Sequence, residues 1–420
     1  MGLFEAAGEG SDVQAGELTR LNREFVQDPH ALYRRLRAEA PVTPVVMWGG
    51  VSAWLVTRYA EARALLNDPR LSKDRVGAAA LFPAGTAGPH GSVLNENMLL
   101  KDPPDHTRLR RLVVKAFTAR TVDGLRPHIE RIADELLDEM DAAAPDGAVD
   151  LMESFAGPLP VRVIGELLGV PSGDRDKFKT AVDPILTSTD ADELRPALAA
   201  LTSLLSNLIA SKRAAPADDL LTALVEASED GDQLSEDELV AMAYLLILAG
   251  YETTVNLIAN GILALLQNSA QLAALRAEPT LLPTAVEEFL RFESPLNLAT
   301  VRFTTVAIRV GDIDIPENEL VMIGLLGANH DGDRFGDPDR LDISRSPNPH
   351  LAFGHGIHYC VGAPLARLEG EIALGRLLAR FDRITLDDNA ILRYRESTLM
   401  RGLETFPVQL GHQHRSAPAS

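Results

Sequence analysis

Between Glu236 and Leu266 the chain reads as one helix whose centre, Leu239 to Tyr251, is apolar on every face. Ser235 and Glu238 supply a capping-box spacing at its start. At 1.5 Å per residue such a helix is about 45 Å long, enough to cross a whole domain. A helix that is apolar all round must be buried, in a protein core or in a bilayer. Glu252, Asn256 and Asn260 interrupt the run and its flanks are acidic, which favours a buried central helix over a membrane span. Such a helix needs a large helical body around it.

The rest of the chain can provide one. Of 420 residues, 46% are hydrophobic and 24% charged, while aromatics make up only 5%, so Leu, Ala and Val must build a helix-rich core. A net charge of −20 argues against nucleic acid or an anionic membrane as partner, and makes any local basic patch informative. One cysteine cannot form an internal disulfide or an all-cysteine metal cluster. No charged-then-apolar leader follows Met1, so a cytoplasmic setting is expected, and a monomer is the expected state. Length alone suggests two or three domains, yet no linker or repeat divides the chain. We expect a tail over 1–20, one domain over 21–410 and a second tail over 411–420.

Asp28-Pro29 reads as the opening of a helix through Leu36, stopped before Pro41. Val42 to Thr57, broken by Gly49-Gly50, reads as a β-hairpin, and Tyr59 to Leu66 as a short helix. Residues 76–100, rich in Gly, Ala and Pro, form a long loop of the kind that is functional or disordered. Helix follows helix from Pro103 to about Leu281. Strand-like runs return at Ala299–Val310 and Glu319–Leu326, and an irregular Pro-, Asp- and Asn-rich segment spans Asp331 to Pro349. Helical character resumes after Cys360, and the end reads as short strands. The fold class is mainly α, with a minor β region built from both ends of the chain.

Four segments carry chemistry. The first is Phe353-Gly-His-Gly-Ile-His-Tyr-Cys360-Val-Gly-Ala-Pro-Leu-Ala-Arg367. Gly354 and Gly356 allow a tight turn before the cysteine, and Gly362 with the run beyond it opens a helix. A thiolate at a helix N-terminus is stabilised by the dipole and by free N–H groups, which suits an anionic metal ligand. A lone cysteine is otherwise a small buried hydrophobe. A zinc site of His355, His358 and Cys360 is a further alternative, with no fourth ligand evident nearby. The second segment, Ala249-Gly250-Tyr251-Glu252-Thr253-Thr254, puts an acid beside an alcohol in the apolar helix centre, where an unpaired charge costs several kcal/mol. Asn256 one turn on could satisfy that acid. The third, Glu288-Phe-Leu-Arg291, places opposite charges on one helical face, by default a plain salt bridge. The fourth, Asp102-Pro-Pro-Asp-His106-Thr-Arg108-Leu-Arg110-Arg111, sets His106 and Arg110 four apart on one face.

Together these segments resemble the cytochrome P450 family, whose haem-binding loop reads F-G-x-G-x-H-x-C-x-G before a helix, and the resemblance runs from the Asp28-Pro29 helix to Arg401-Gly-Leu. It implies the cytochrome P450 fold, with the long helix over a haem b, and a monooxygenase that inserts one atom of dioxygen into a C–H bond. By that resemblance Cys360 is the axial iron ligand, Phe353 packs against its sulfur and Gly362 permits close approach to the porphyrin. Thiolate ligation favours O–O cleavage. Glu252 and Thr253 would deliver protons to dioxygen, with Ala249 beside the haem and Gly250 opening the helix near the oxygen site. His106, Arg110, Arg302 and His358 would hold the two haem propionates. Glu288 and Arg291 would be a buried structural pair, with His350 as its partner. Substrate contacts would come from the 76–100 loop, the 175–215 helices, Leu245, Leu248 and Ala249, with Leu298, Thr300 and Leu399.

The run of motifs is most similar to the actinobacterial branch that oxidises macrolides, other polyketides and steroid-like molecules, so an apolar small molecule is the expected substrate. No G-x-G-x-x-G follows a strand, so electrons from NAD(P)H should arrive through a separate ferredoxin and its reductase. Arg108, Arg111 and Lys115, with Lys101 and Arg120, form a basic patch where an acidic ferredoxin could dock. Two alternatives are a peroxide-driven peroxygenase, against which the Glu252-Thr253 pair argues, and a haem sensor or carrier without turnover.

Overall fold

In the computed structural model, which describes residues 18–411 except 48–49, 83–92, 145–146, 188–189 and 230, the principal helices are α1 (Asp105–Ala116), α2 (Ala119–Ala143), α3 (Arg175–Thr187), α4 (Ala191–Ala214), α5 (Glu236–Gln267), α6 (Leu282–Phe292) and α7 (Ala363–Arg380). The chain is mainly α, as its sequence indicates. Helix α5 starts on the full capping box, with the Ser235 side chain accepting from Glu238 N–H and the Glu238 carboxylate accepting from Ser235 N–H. Three acids in its first turn complement the helix dipole. By length and composition α5 could cross a membrane, as could Asp192–Ala214, but α5 is mostly buried inside the molecule. It packs on α4, α6, α7 and the helix Pro158–Leu167. Two of its polar interruptions are met by backbone carbonyls: Asn260 Nδ2 donates to Arg401 O at 2.8 Å and Asn256 Nδ2 to Pro295 O at 3.4 Å. Asn256 therefore does not serve Glu252.

The β region joins both ends of the chain. One six-stranded sheet runs β1 (Thr19–Arg20), β2 (Val42–Val46), β3 (Ser52–Val56), β6 (Leu320–Ile323), β5 (Arg302–Thr304), β4 (Leu71–Ser72). The hairpin β2–β3 is antiparallel, β3 lies parallel to β6 with Val56 opposite Ile323, and β5 pairs antiparallel with β4 with Ser72 opposite Phe303. That register sets Lys73, just after β4, beside the start of β5. A three-stranded sheet of Ala148–Asp150, Arg383–Leu386 and Pro407–Gly411 closes the other end.

The structure departs from the sequence reading in several places. The N-terminal helix is His30–Glu39, with Pro29 at its N-cap position and Asp28 accepting from His30 N–H, and a separate turn Arg23–Gln27 precedes it on an Asn22 cap. Leu325–Asn329 is helical, so the strand before it ends at Ile323. The strands Ala148–Asp150, Ser228–Glu229 and Asp232–Gln233 lie within the stretch read as all helix, being too short to show a period. Within the 76–100 loop, short 3₁₀ turns form at Val93–Asn95 and Met98–Leu100, while 83–92 lies outside the described residues. Residues 1–17 and 412–420 of the expected tails, and Gly49 of the hairpin turn, also lie outside them.

Candidate active site

The loop before α7 is shaped by two glycines that no other residue replaces cheaply. Gly354 and Gly356 have φ of 72° and 75°, and a Cβ on Gly356 would lie 2.2 Å from Asn67 Oδ1. The loop then closes on itself, with Cys360 N–H donating to Phe353 O at 2.9 Å. Cys360 is exposed, yet the protein atoms packed around its sulfur raise its thiol pKa. The backbone N–H groups of Gly362 and Ala363, at the start of α7, counter that rise, as do Arg110 and Arg367. A Cβ on Gly362 would meet only the cysteine sulfur, at 3.9 Å, so packing within the protein does not itself demand glycine there. Among the described residues no three His, Cys, Asp or Glu side chains converge as metal ligands, which removes the zinc alternative.

A line of accessible atoms runs along the otherwise buried centre of α5. Leu245, Ala249 and Thr253, four apart and on one face, are half-buried, exposed and half-buried in turn. Leu248 is also half-buried. The Thr253 hydroxyl donates to Ala249 O at 2.5 Å. Helix α5 is continuous from Glu236 to Gln267, through Gly250. Glu252 is 4% exposed, and its carboxylate accepts no hydrogen bond among the described residues. Burial raises its pKa to about 7, against a smaller opposing pull from Arg395.

Five basic groups gather where α1, the cysteine loop and β5 meet. His106 is 1% exposed and neither ring nitrogen has a partner among the described residues, while its ring lies 4.2 Å from that of His358. Arg110 donates to Tyr359 O at 2.7 Å and Arg302 to Thr300 O at 2.7 Å. Lys73, absent from the sequence reading, joins them, and its ammonium donates to Thr300 Oγ1 at 2.8 Å. Burial depresses the whole set, and neighbouring cations add to this at Lys73, His106 and His358. His106 falls to about 4, His358 to about 2 and Arg302 to about 10, while Lys73 lies well below the usual lysine range. Among the described residues the one carboxylate that opposes this is Asp102, already engaged by Ser72 and by Lys73 N–H. Among the described residues, arginine, lysine and imidazole donors outnumber carboxylates here, a chemistry that suits an anionic group.

The Glu288–Arg291 pair is fully buried and bidentate, both contacts at 2.8 Å. Its third partner is not His350. Arg345 fills that place, 3.1 Å from Glu288, with Asn348 Nδ2 also at 3.1 Å and Asp342 N–H at 2.9 Å. His350 instead bonds Glu287 at 3.2 Å. Adjacent helical residues point about 100° apart, so the neighbouring carboxylates serve separate networks. Glu287 also takes Arg367 at 2.6 Å, whose guanidinium caps the Phe353 ring at 4.5 Å.

Three further expectations change. Leu298 is fully buried in a core beneath the sheet with Tyr33 and Phe303, so its side chain offers no surface to a substrate. Thr300 belongs to the basic cluster through Lys73 and Arg302 rather than to an apolar wall. Leu399 is half-buried against that same core. In the basic patch, Arg108 is tied to Glu238 and Asp232, and Lys101 to Glu96 at 2.7 Å, so neither is an uncompensated charge. Arg111, Lys115 and Arg120 are exposed.

The family described as cytochrome P450 matches residues 160–409. The chain belongs to the cytochrome P450 family. It is 51% identical over 404 residues to cytochrome P450 107B1 of Saccharopolyspora erythraea, covering 94% of this chain and 98% of that one. It is 48% identical to the cytochrome P450 monooxygenase PikC of Streptomyces venezuelae, covering 94% of each. Among solved structures it is similar to the tirandamycin C-bound P450 monooxygenase TamI, with a TM-score of 0.84, 48% identity and coverage of 94% and 100%. This chain is thus a P450 monooxygenase, and its family implies a haem. The residues present fit that group: one exposed sulfur with the N–H groups of Gly362 and Ala363 beside it, and a basic cluster around His106, His358 and Arg302.

Proposed function

We propose that this P450 inserts one oxygen atom of dioxygen into a C–H bond of an apolar natural product, a polyketide macrolide or steroid-like molecule, using electrons from a ferredoxin. Bound haem supplies the activation of dioxygen. Cys360 would hold the iron, with Phe353 and Gly362 shaping the loop against the porphyrin, and His106, Arg110, Arg302 and His358 would hold the propionates. Leu245, Leu248 and Ala249 would form the apolar side of the substrate site, and Leu399 its edge. The groove between α3 and α4, lined by Ala181, Pro184, Pro196 and Ala197, would be the entry for substrate. Relatives named for polyketide biosynthesis in Bacillus subtilis, 6-deoxyerythronolide B hydroxylation in Saccharopolyspora erythraea and vitamin D(3) 25-hydroxylation in Pseudonocardia autotrophica support a large apolar substrate.

The observation that carries the reading is Glu252 beside Thr253, on the helix whose accessible face runs through Ala249. A carboxyl with a pKa of about 7 exchanges protons at neutral pH, and the Thr253 hydroxyl keeps lone pairs free to accept one. Neither a carrier nor a sensor needs such a pair. Electrons would enter across exposed Arg111, Lys115 and Arg120, with the exposed apolar side chain of Val114 between the first two in sequence. We infer one functional domain over 21–410, working as a cytoplasmic monomer.

Two experiments test this. The reduced, carbon monoxide-bound protein should show the red-shifted Soret band of a thiolate haem, and Cys360→Ala should abolish it. A histidine-type spectrum in the wild type would refute the ligand assignment. A binding screen by Soret shift against polyketides and steroids, followed by substrate-dependent NAD(P)H consumption with ferredoxin and reductase, tests turnover. Binding without product would favour the carrier.

A further inference from the structure

One polar row on α5 lies under the C-terminal segment. Glu252, Asn256 and Asn260 stand four apart, on a single face. Asn260 donates to Arg401 O at 2.8 Å, and Gly402 packs so closely that a Cβ there would overlap Asn256 Oδ1. Arg395 is bound to the same stretch of chain. Its N–H donates to Gly402 O at 2.9 Å and its Nε to Leu403 O at 3.3 Å, while Tyr394 forms a β-bridge with Leu403. The segment that covers Asn260 and Asn256 therefore brings a guanidinium to the remaining member of the row, Glu252. The two side chains are complementary and each is incomplete. Glu252 is 4% exposed and has no donor among the described residues, and the Nη groups of half-buried Arg395 have no acceptor among them. Arg395 is the one described side chain whose charge acts on Glu252. The helices α4, α6, α7 and Pro158–Leu167, which also pack on α5, add none there among the described residues. Arg395 acts on the neighbouring Tyr251 as well, together with Asp183 of α3. Glu252 and Arg395 make no direct hydrogen bond, and such a gap between carboxylate and guanidinium suits a bridging water.

We propose that Arg395 is a positioning residue of the proton supply, holding the Glu252 carboxylate through a bridging water each time its proton leaves towards Thr253. The proposal rests on the reading of Glu252 and Thr253 as a proton relay. A guanidinium stays charged at every working pH, so Arg395 itself passes no proton. It opposes the burial that makes the ionised carboxylate costly. Being half-buried, it also joins solvent to a carboxyl that the core otherwise seals. The replacement proton then reaches Glu252 from under the C-terminal segment. Thr253, about 100° round the helix, lies instead on the line through Ala249 and Leu245. Loading and delivery are thus kept on different sides of α5.

The test uses the haem-loaded full chain and two readouts. The first is an infrared titration, through neutral pH, of the protonated-carboxyl band that Glu252→Gln lacks. Arg395→Met should move its midpoint upward by about one pH unit, because a neighbouring cation is lost. The second is product formation against pH at saturating substrate. Its alkaline fall, where Glu252 enters the cycle without a proton, should move upward by the same amount while KM stays unchanged. Arg395→Lys, which keeps the charge, should restore both. Arg395→Gln, which keeps a donor for Leu403 O without the charge, should behave as Arg395→Met and replaces it if that variant does not fold. An unmoved midpoint in the uncharged variants would overturn the proposal, as would an alkaline fall that stays in place while the midpoint moves. Slower turnover at every pH with both positions unmoved would mean that Arg395 only fixes the C-terminal strands, and would overturn it too. Wild-type turnover and coupling in Glu252→Gln would instead overturn the relay reading, whatever Arg395 does.

Discussion

Glu252 stands in the core with its pKa raised to about 7 from the usual 4.5, and that displacement sets a measurable stability deficit. Holding the ionised carboxylate there costs about 3 kcal/mol once the pH is above the folded pKa. The folded protein keeps the proton between 4.5 and about 7, where the unfolded chain has released it. Stability is therefore complete below 4.5, declines as pH rises through that window and stays at its lower level beyond it. Glu252→Gln keeps the shape and removes the ionisation, so it escapes the decline. The variant's stability relative to wild type should increase by about 2 kcal/mol between about pH 5.5 and about pH 8.5. Urea unfolding of both proteins without haem, followed by circular dichroism at the two pH values, measures this. The same substitution should slow product formation on the order of 10²–10⁴-fold if Glu252 supplies protons. A pH-independent stability difference would refute the buried, raised carboxyl. A variant that is stabilised yet fully active would refute its role in the chemistry.

Thr253→Ala should leave haem content and substrate affinity nearly intact while diverting NAD(P)H into hydrogen peroxide; product and peroxide yields per nicotinamide check this, and tight coupling in the variant would exclude the hydroxyl. Arg345→Met should cost about 3–5 kcal/mol, because Glu288 loses a partner in a fully buried network, whereas His350→Gln should cost about 1 kcal/mol. Urea midpoints of the two variants compare these directly, and equal losses would contradict the separate networks. Reversing charge at Arg111 and Lys115 should slow reduction by ferredoxin and flatten its salt dependence without changing substrate-induced Soret shifts. Stopped-flow reduction across ionic strength measures it, and unchanged kinetics would remove that face as the docking site.

What could be read from the sequence was what is local. The capping box at Ser235 and Glu238 and the all-round apolar run of α5 need only neighbours within a few residues, and both are present as expected. So is the cysteine loop, whose glycines answer to backbone angles. Partners across long separations were not legible. Lys73 meets Thr300 across 227 residues, and nothing near Leu71-Ser72-Lys73 signals a buried ammonium. The choice between Arg345 and His350 turned on which of two adjacent carboxylates each reaches, and the irregular segment that carries them has no period from which to take a register. Leu298 was misplaced for a related reason: an apolar residue beside a site has two sides to face, and the sheet core claimed it.

The parallel pairing of β3 with β6 has a bearing on how the chain is made. Val56 has to wait for Ile323, and the backbone of Val26 and Gln27 for the guanidinium of Arg401. At about 5–20 residues per second, the roughly 270 residues between β3 and β6 take a ribosome on the order of 15–50 seconds to add. Throughout that interval the hairpin β2–β3 has an open edge, and an isolated two-stranded hairpin is marginal in water. The helices from α1 to α5 emerge first and can pack on one another, while the N-terminal strands, made earliest, are among the last to find their place. Expression at lower temperature, or with a chaperone that shields strand edges, should therefore raise the soluble yield more than changes to the helical body.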